Sequence, residues 1–167
     1  MAKVCGVKQQ VCGVKKMNFS EKKIERYFKK AKEVSKLSDY DKTQMGAVLV
    51  CKNKIISVGF NHRKSNPIQY HYNKLRTDDI RTYNVDAREN YIHCEIDCVL
   101  KATNKGFNKW SEATLFIYRE TKNHERAIAK PCLACEQFLK DKGINNIYYT
   151  VTNNISEVKG VKKNGKR

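Results

Sequence analysis

Two short motifs, His93-Cys94-Glu95 and Pro131–Cys135, constrain the fold of this chain more than any other feature of its sequence. Each motif stands where a segment with helical spacing of apolar residues begins. A Cys-x-x-Cys at the start of a helix lets two sulfur atoms converge on one ion, and the helix N-terminus favours their thiolate forms. Any fold of the chain must therefore bring two helix N-termini to one point.

The residue types in these motifs predict a zinc site with three protein ligands, His93, Cys132 and Cys135. Catalytic zinc sites have three protein ligands and one water molecule. The alternative is a closed structural site, in which Cys94 or Cys98 supplies a fourth ligand; the two lie four residues apart and could share a helix face. A closed site leaves Glu95 without a role, so we favour the open one.

Glu95 lies two residues beyond a predicted ligand, close to the water that the metal would hold. Zinc lowers the pKa of such a water from about 15.7 to near 7. A carboxylate at that place can take the proton of the water and pass it to a ring nitrogen and a leaving amine. His-x-Glu followed by Pro-Cys-x-x-Cys is typical of zinc deaminases, in which the Glu is not a ligand. The motifs therefore predict hydrolytic deamination, with Glu95 as the catalytic residue.

Size and cysteine content are consistent with one cytoplasmic enzyme domain. The chain has 167 residues and seven cysteines, an odd number that favours metal or thiol chemistry over a disulfide framework. No apolar run approaches the roughly 18 residues that a membrane span needs, and the first 16 residues do not resemble a signal peptide. We expect a cytoplasmic protein that does not associate with membranes.

Repeats and charge divide the chain into three parts. Val4–Lys8 recurs as Val11–Lys15, and we expect residues 1–17 to be a disordered leader. Residues 18–154 are predicted to form the folded domain, and residues 155–167 a basic C-terminal tail.

Periodicity predicts mixed α and β structure inside this domain. An N-cap at Ser20 is followed by an apolar helical face that runs from Ile24 to Leu37. Two further helices and one short helix are expected, over 93–103, 132–141 and 68–75. Strands are expected over 46–50, 55–59, 113–118 and 147–151, with a hairpin turn at 52–54. This order predicts an α/β fold, a sheet between helices.

The chain resembles the cytidine and deoxycytidylate deaminase superfamily, and is most similar to its bacteriophage-type deoxycytidylate deaminases. The resemblance runs from about Asn18 to Thr152. Besides the two metal motifs, it rests on four segments: Gly46–Val48, Ile56–Asn61, Gly143–Ile144 and Tyr148–Tyr149. It implies a three-layer α/β/α sandwich around a mixed sheet of about five strands, and Zn²⁺ as the cofactor.

The resemblance also implies roles for residues outside the metal motifs. Asn61 matches an Asn that hydrogen-bonds substrate, and the backbone amide of Cys94, where the family usually has Ala, would bind the base carbonyl. Arg119 is a further candidate for substrate binding, because an arginine can grip a phosphate with two hydrogen bonds. Members of the family are often homo-oligomers.

The substrate class follows less directly from the sequence. The formal net charge of +17 favours an anionic partner, and cationic and aromatic residues alternate over residues 61–91. The resemblance favours a cytosine nucleotide, dCMP converted to dUMP. One alternative is a deaminase of cytosine or adenine in single-stranded DNA or tRNA, which needs a basic track with aromatic stacking platforms. The other is an inactive, zinc-stabilised nucleic-acid-binding domain, against which the intact Glu95 argues.

Overall fold

A computed structural model describes residues 7–11, 19–40, 42–76, 90–121 and 123–151. The helices are α1 (Glu21–Ser35), α2 (Pro67–Asn73), α3 (Cys94–Asn104) and α4 (Leu133–Lys142). The strands are β1 (Val7–Val11), β2 (Gln44–Cys51), β3 (Lys54–Phe60), β4 (His62–Ser65), β5 (Tyr91–Ile92), β6 (Ala113–Glu120) and β7 (Asn146–Thr150). Within these ranges no helix is long and apolar enough to cross a membrane.

Five of the strands form one mixed sheet in the order β1-β7-β6-β2-β3. β2 runs antiparallel to both β3 and β6, whereas β6 and β7 are parallel. A parallel pair needs a crossover connection, and here α4 provides it between β6 and β7. The predicted mixed sheet of about five strands is confirmed.

The central strands bury both of their faces, which produces two hydrophobic cores. On β6, Leu115 and Ile117 pack into a core with α3 and α4, while Phe116 and Tyr118 pack into a second core with α1. Successive side chains of a strand point to opposite faces, so this alternation requires a helical layer on each side of the sheet. The three-layer α/β/α sandwich is confirmed.

Helix α1 begins after Ser20 as predicted, and its apolar face packs on β2 and β6. The prediction extends this face to Leu37, which is wrong: that side chain is 62% exposed. The helix ends at Ser35, so Leu37 lies beyond the last helical turn and no longer follows its periodicity.

The predicted hairpin joins β2 and β3 through Lys52 and Asn53. Both residues have positive φ, 48° and 63°. Two successive positive φ angles are typical of the two-residue turn whose twist matches that of the adjoining strands, and Asn tolerates this conformation well.

Strand β1 lies inside the segment 1–17, which the sequence predicts to be a disordered leader. It pairs antiparallel with β7, with Val7 opposite Thr150 and Val11 opposite Asn146. Residues 7–11 thus form a strand inside the predicted leader, because backbone pairing along an open sheet edge can order a segment that has little periodicity of its own. The boundaries of the domain at 18–154 remain a prediction, and the tail at 155–167 lies outside the described residues.

Strands β4 and β5 form a separate two-stranded ladder beside the N-terminus of α3. His62 pairs with Ile92, the residue that directly precedes the predicted ligand His93. The ladder therefore joins the end of β3 to the start of α3.

Candidate metal centre

The predicted ligands occupy the N-caps of two helices. His93 is the N-cap of α3 and Cys132 is the N-cap of α4, and neither side chain makes a capping hydrogen bond to its own helix. The usual N-cap residues turn their side chains back onto the helix amides. His93 and Cys132 instead leave theirs available for another partner.

Three donor atoms converge where these helix N-termini meet. Nδ1 of His93 lies 3.4 Å from Sγ of Cys135 and 3.6 Å from Sγ of Cys132. The ligand atoms of all three residues lie within 4.8 Å of one another. Tetrahedral zinc with ordinary bond lengths places an imidazole nitrogen and a thiolate sulfur about 3.6 Å apart. The spacing fits a zinc ion, which His93, Cys132 and Cys135 together could hold.

The closed site considered as an alternative is not built from the two nearby cysteines. Sγ of Cys94 donates to Oε2 of Glu95 at 3.2 Å, and Sγ of Cys98 lies 3.3 Å from Oγ of Ser57. In the described ranges the cluster of possible ligands contains three residues, and neither Cys94 nor Cys98 is among them. Among the described residues, neither cysteine therefore closes the candidate site.

A hydrogen bond between the two candidate ligand thiols shifts their pKa values in opposite directions. A hydrogen bond from Cys135 and the neighbouring His93 together lower the pKa of Cys132 to about 3, against burial, which acts to raise it. The same hydrogen bond raises the pKa of Cys135 well above its usual range, and burial adds to this effect. The lowered pKa of Cys132 favours its thiolate, the form in which a cysteine binds a metal.

Glu95 lies next to this cluster, in the first turn of α3, and is almost completely buried. Burial raises the pKa of its carboxyl group above the ordinary value, while the nearby His93 opposes the rise. A carboxyl group with a raised pKa can both accept and release a proton near neutral pH.

The cluster opens into a cavity of about 360 Å³. His93, Cys132 and Glu95 line one part of it, and Asn61 and Arg119, both predicted to bind substrate, line others. Three cationic side chains face the same space: Lys42, Arg119 and Lys130. Among the described residues that line the cavity, Glu95 is the single acidic one, so the cavity favours an anionic ligand.

Asn61 is buried at the cavity wall and both ends of its amide already have partners. Oδ1 accepts from the backbone N–H of Met45 at 2.8 Å, and Nδ2 donates to the carbonyl of Thr43 at 2.9 Å. An amide has two donor hydrogens and two acceptor lone pairs, so one of each remains for a ligand.

Arg119 lies near the end of β6 with an incomplete set of hydrogen bonds. Nη1 donates to the carbonyl of Ile128 at 3.3 Å, whereas Nε is buried without a partner in the described structure. A buried donor without a partner costs free energy until something accepts from it. Its place on the cavity makes an anionic ligand a fitting acceptor.

Several cavity residues were not predicted as site residues. Tyr40 and Lys42 precede β2, and Tyr91 and His62 come from the small ladder. Tyr40 and Lys42 belong to no motif, so only the packing of the chain reveals them. The sequence singles out Arg81, Tyr83 and Arg88 as part of a basic, aromatic segment, and these lie outside the described residues.

Comparison with known proteins identifies a family whose members share a zinc-binding region. The family model described as "Cytidine and deoxycytidylate deaminase zinc-binding region" matches residues 21–151. A search of curated proteins found no significant match.

Two solved structures of one phage enzyme share the fold at low sequence identity. The dCMP deaminase of the cyanophage S-TIM5 in apo form is 16% identical with a TM-score of 0.52, over 75% of this chain and 80% of the other. The same enzyme in complex with dCMP and dUMP is 17% identical with a TM-score of 0.52, over 76% and 79%. A cytidine deaminase from Burkholderia pseudomallei is 19% identical with a TM-score of 0.47, over 72% and 76%.

Proposed function

Because the chain belongs to the cytidine and deoxycytidylate deaminase family by its zinc-binding region, we propose that it is a zinc-dependent hydrolytic deaminase of a cytosine nucleotide, dCMP in the first place. One observation carries the proposal: a buried carboxylate, Glu95, lies beside a three-donor zinc site that opens into a basic cavity. The zinc site supports hydrolytic deamination as the reaction, and the cations support a nucleotide as the substrate.

In the proposed reaction, water replaces the exocyclic amine at C4 of the base. Zinc, bound by His93, Cys132 and Cys135, would lower the pKa of the attacking water. Glu95 accepts one proton from this water and passes it to the ring nitrogen N3. It then carries a second proton to the leaving amine, so that cytosine and water become uracil and ammonia. Burial suits Glu95 to both transfers, because a raised pKa lets the carboxyl group release a proton as well as accept one.

The remaining predicted residues orient the nucleotide. The amide of Cys94 donates to the base carbonyl, and the unused donor and acceptor of Asn61 contact the sugar or base. Arg119 would use its unpaired Nε to hold the phosphate, with Lys42 and Lys130 contributing charge from the same cavity. The cyanophage enzyme of the same fold was solved with dCMP and dUMP, which makes dCMP the first nucleotide to test.

The test is ammonia release from five compounds: dCMP, dCTP, cytidine, cytosine and a cytosine-containing oligonucleotide. We expect dCMP to have the highest kcat/KM. Release from none of the five would refute the proposed activity, and release from the oligonucleotide alone would favour the nucleic-acid alternative. In that case binding would also weaken steeply with salt, because bound protein displaces counterions.

Arg119→Met separates phosphate recognition from base chemistry. The variant should lose about tenfold in kcat/KM on dCMP, since a charge-assisted hydrogen bond contributes roughly 1.5–3 kcal/mol, and should act on deoxycytidine as the wild type does. Arg63→Met is the matched control, because Arg63 is exposed and does not line the cavity. Equal losses on both substrates would show that Arg119 does not read the phosphate.

A further inference from the structure

His62 lies at the cavity wall in a position that neither the metal site nor the deamination chemistry uses. It is the first residue of β4 and pairs with Ile92, one residue before the zinc ligand His93. Its side chain is 20% exposed and faces the cavity. A ligand whose base reaches the zinc site therefore passes close to this imidazole.

A buried carboxylate of α3, that of Asp97, contacts the imidazole of His62. Oδ1 of Asp97 lies 3.5 Å from Nε2 of His62, and the imidazole packs on the ring of Phe60 with centroids 5.1 Å apart. The other oxygen of Asp97 accepts from the backbone N–H of Phe60 at 3.0 Å and from Lys101 at 2.6 Å. Asp97 is itself only 6% exposed. Carboxylate and ring are thus both fixed by packing.

The carboxylate also determines where the imidazole carries its proton. A lone pair on Nε2 facing a carboxylate oxygen would be repelled, so Nε2 keeps its hydrogen. In the neutral ring Nδ1 is then a hydrogen-bond acceptor. In the described part of the chain Nδ1 has no partner of its own. The wall of the cavity that also contains His93 and the cations therefore presents one oriented acceptor.

We propose that His62, positioned by Asp97, is a specificity-determining residue that accepts a hydrogen bond from the free 3′-hydroxyl of the pentose of a mononucleotide. This inference rests on the proposed function. The base amine belongs at Glu95 and the phosphate at the cations, and an acceptor nitrogen repels a phosphate oxygen. The pentose hydroxyl is the donor that remains. Inside a nucleic-acid strand the 3′-oxygen is esterified and has no hydrogen to donate, so the inference also selects mononucleotides.

The experiment compares two ligands that differ in this hydroxyl alone, dUMP and 2′,3′-dideoxyuridine 5′-monophosphate. Their dissociation constants are measured by calorimetry on the zinc-loaded protein, and these product-type ligands need no turnover. The wild type should bind dUMP about tenfold more tightly than the dideoxy compound, as expected for loss of one well-oriented hydrogen bond. In His62→Phe, which keeps the ring packing, the ratio should fall to about one.

Three variants complete the comparison. Asp97→Asn should also reduce the ratio, because the ring is no longer held in one tautomer. His62→Gln, which can present an acceptor oxygen, should recover part of the discrimination. The matched control is His71→Phe: His71 packs on Tyr72 in α2, does not line the cavity, and should keep the wild-type ratio. Zinc content and the unfolding temperature check each variant, and Asp97→Asn and His62→Gln decide the question if His62→Phe does not fold.

The outcomes separate this inference from the proposed function. Equal binding of both ligands by the wild type, or an unchanged ratio in His62→Phe and Asp97→Asn where these fold, overturns the role of His62 whether or not ammonia is released. Turnover of dCMP with unchanged discrimination in the variants refutes the inference alone. A wild type that discriminates through His62 but releases no ammonia supports the inference and contradicts the proposed activity.

Discussion

Asn61 connects the wall of the cavity to the main sheet. Its amide bridges the carbonyl of Thr43 and the N–H of Met45, and its own N–H donates to the carbonyl of Met45 at 3.3 Å. These bonds hold the chain that enters β2, which also carries the cavity residue Lys42. Asn61 therefore contributes to stability before any ligand is present, in addition to its proposed contact with substrate.

Asn61→Ala should lower the stability of the ligand-free protein as well as its activity. Two part-buried backbone groups lose their partners, which costs about 1–3 kcal/mol and lowers the unfolding temperature by roughly 3–10 °C. Thermal unfolding without ligand measures this. Asn108→Ala is the control, because Asn108 is exposed. An unchanged unfolding temperature with lost activity would mean that Asn61 acts on substrate only.

The ligand set was predictable at the residue scale because metal chemistry leaves few choices of residue type and spacing. His93, Cys132 and Cys135 were named from their motifs, and the structure brings them together. Tyr40 and Lys42 could not be found in this way, because a tyrosine or lysine in a loop looks the same whether it faces a cavity or bulk water. The burial of Leu37 was wrongly predicted for a similar reason, since periodicity does not show where a helix stops.

At the scale of elements, contact between β3 and α3 sets the position of the helix that carries Glu95. A Cβ added at Gly59 would lie 2.5 Å from the carbonyl oxygen of Cys94 and closer still to the backbone N of Cys98. The strand can approach the helix this closely only because residue 59 has no side chain. Gly59 therefore fixes the distance between the sheet and α3, the helix whose N-cap is His93 and whose first turn contains Glu95.

Gly59→Ala should displace α3 and weaken the zinc site. Because the added methyl group meets backbone atoms, we expect a loss of about 3 kcal/mol or more and a reduced zinc content. Gly106→Ala is the matched control: residue 106 has a positive φ of 76° but nothing within 4 Å of an added Cβ. It should cost only about 1 kcal/mol and keep zinc. Full zinc occupancy in a stable Gly59→Ala protein would contradict this account of α3.

Long periodic elements were predicted well, and short strands were not. α1, α3, α4 and the hairpin β2–β3 follow from apolar spacing and turn residues. β4 and β5 have four and two residues, too few to show alternation, and they exist because each provides the backbone partner of the other. β1 likewise depends on the free edge of β7. Such pairing is a tertiary property that local sequence does not encode.

At the scale of the whole molecule, the sheet includes residues 7–11, well before the first helix. Val7 packs against the core that contains Phe116 and Tyr148, whose stacked rings lie 4.9 Å apart. Residues 7–11 therefore extend the sheet of the sandwich.

Removal of residues 1–11 should expose the edge of β7 and lower the unfolding temperature by roughly 3–8 °C, while zinc stays bound by His93, Cys132 and Cys135. Removal of residues 1–6 alone, which leaves β1 in place, is the control and should have a small effect. Thermal unfolding and metal analysis of both truncated proteins test this. Equal unfolding temperatures for the two would show that β1 does not stabilise the sheet.

The central claim is that Glu95 moves protons beside a zinc ion that it does not bind. The most direct measurement is zinc content together with ammonia release from dCMP, for the wild type and Glu95→Ala in parallel. We predict one zinc per chain in both proteins, and a rate in Glu95→Ala at least a hundredfold lower, the usual contribution of general acid–base catalysis. Turnover by Glu95→Ala within tenfold of the wild type, or loss of zinc from that variant, would contradict the account.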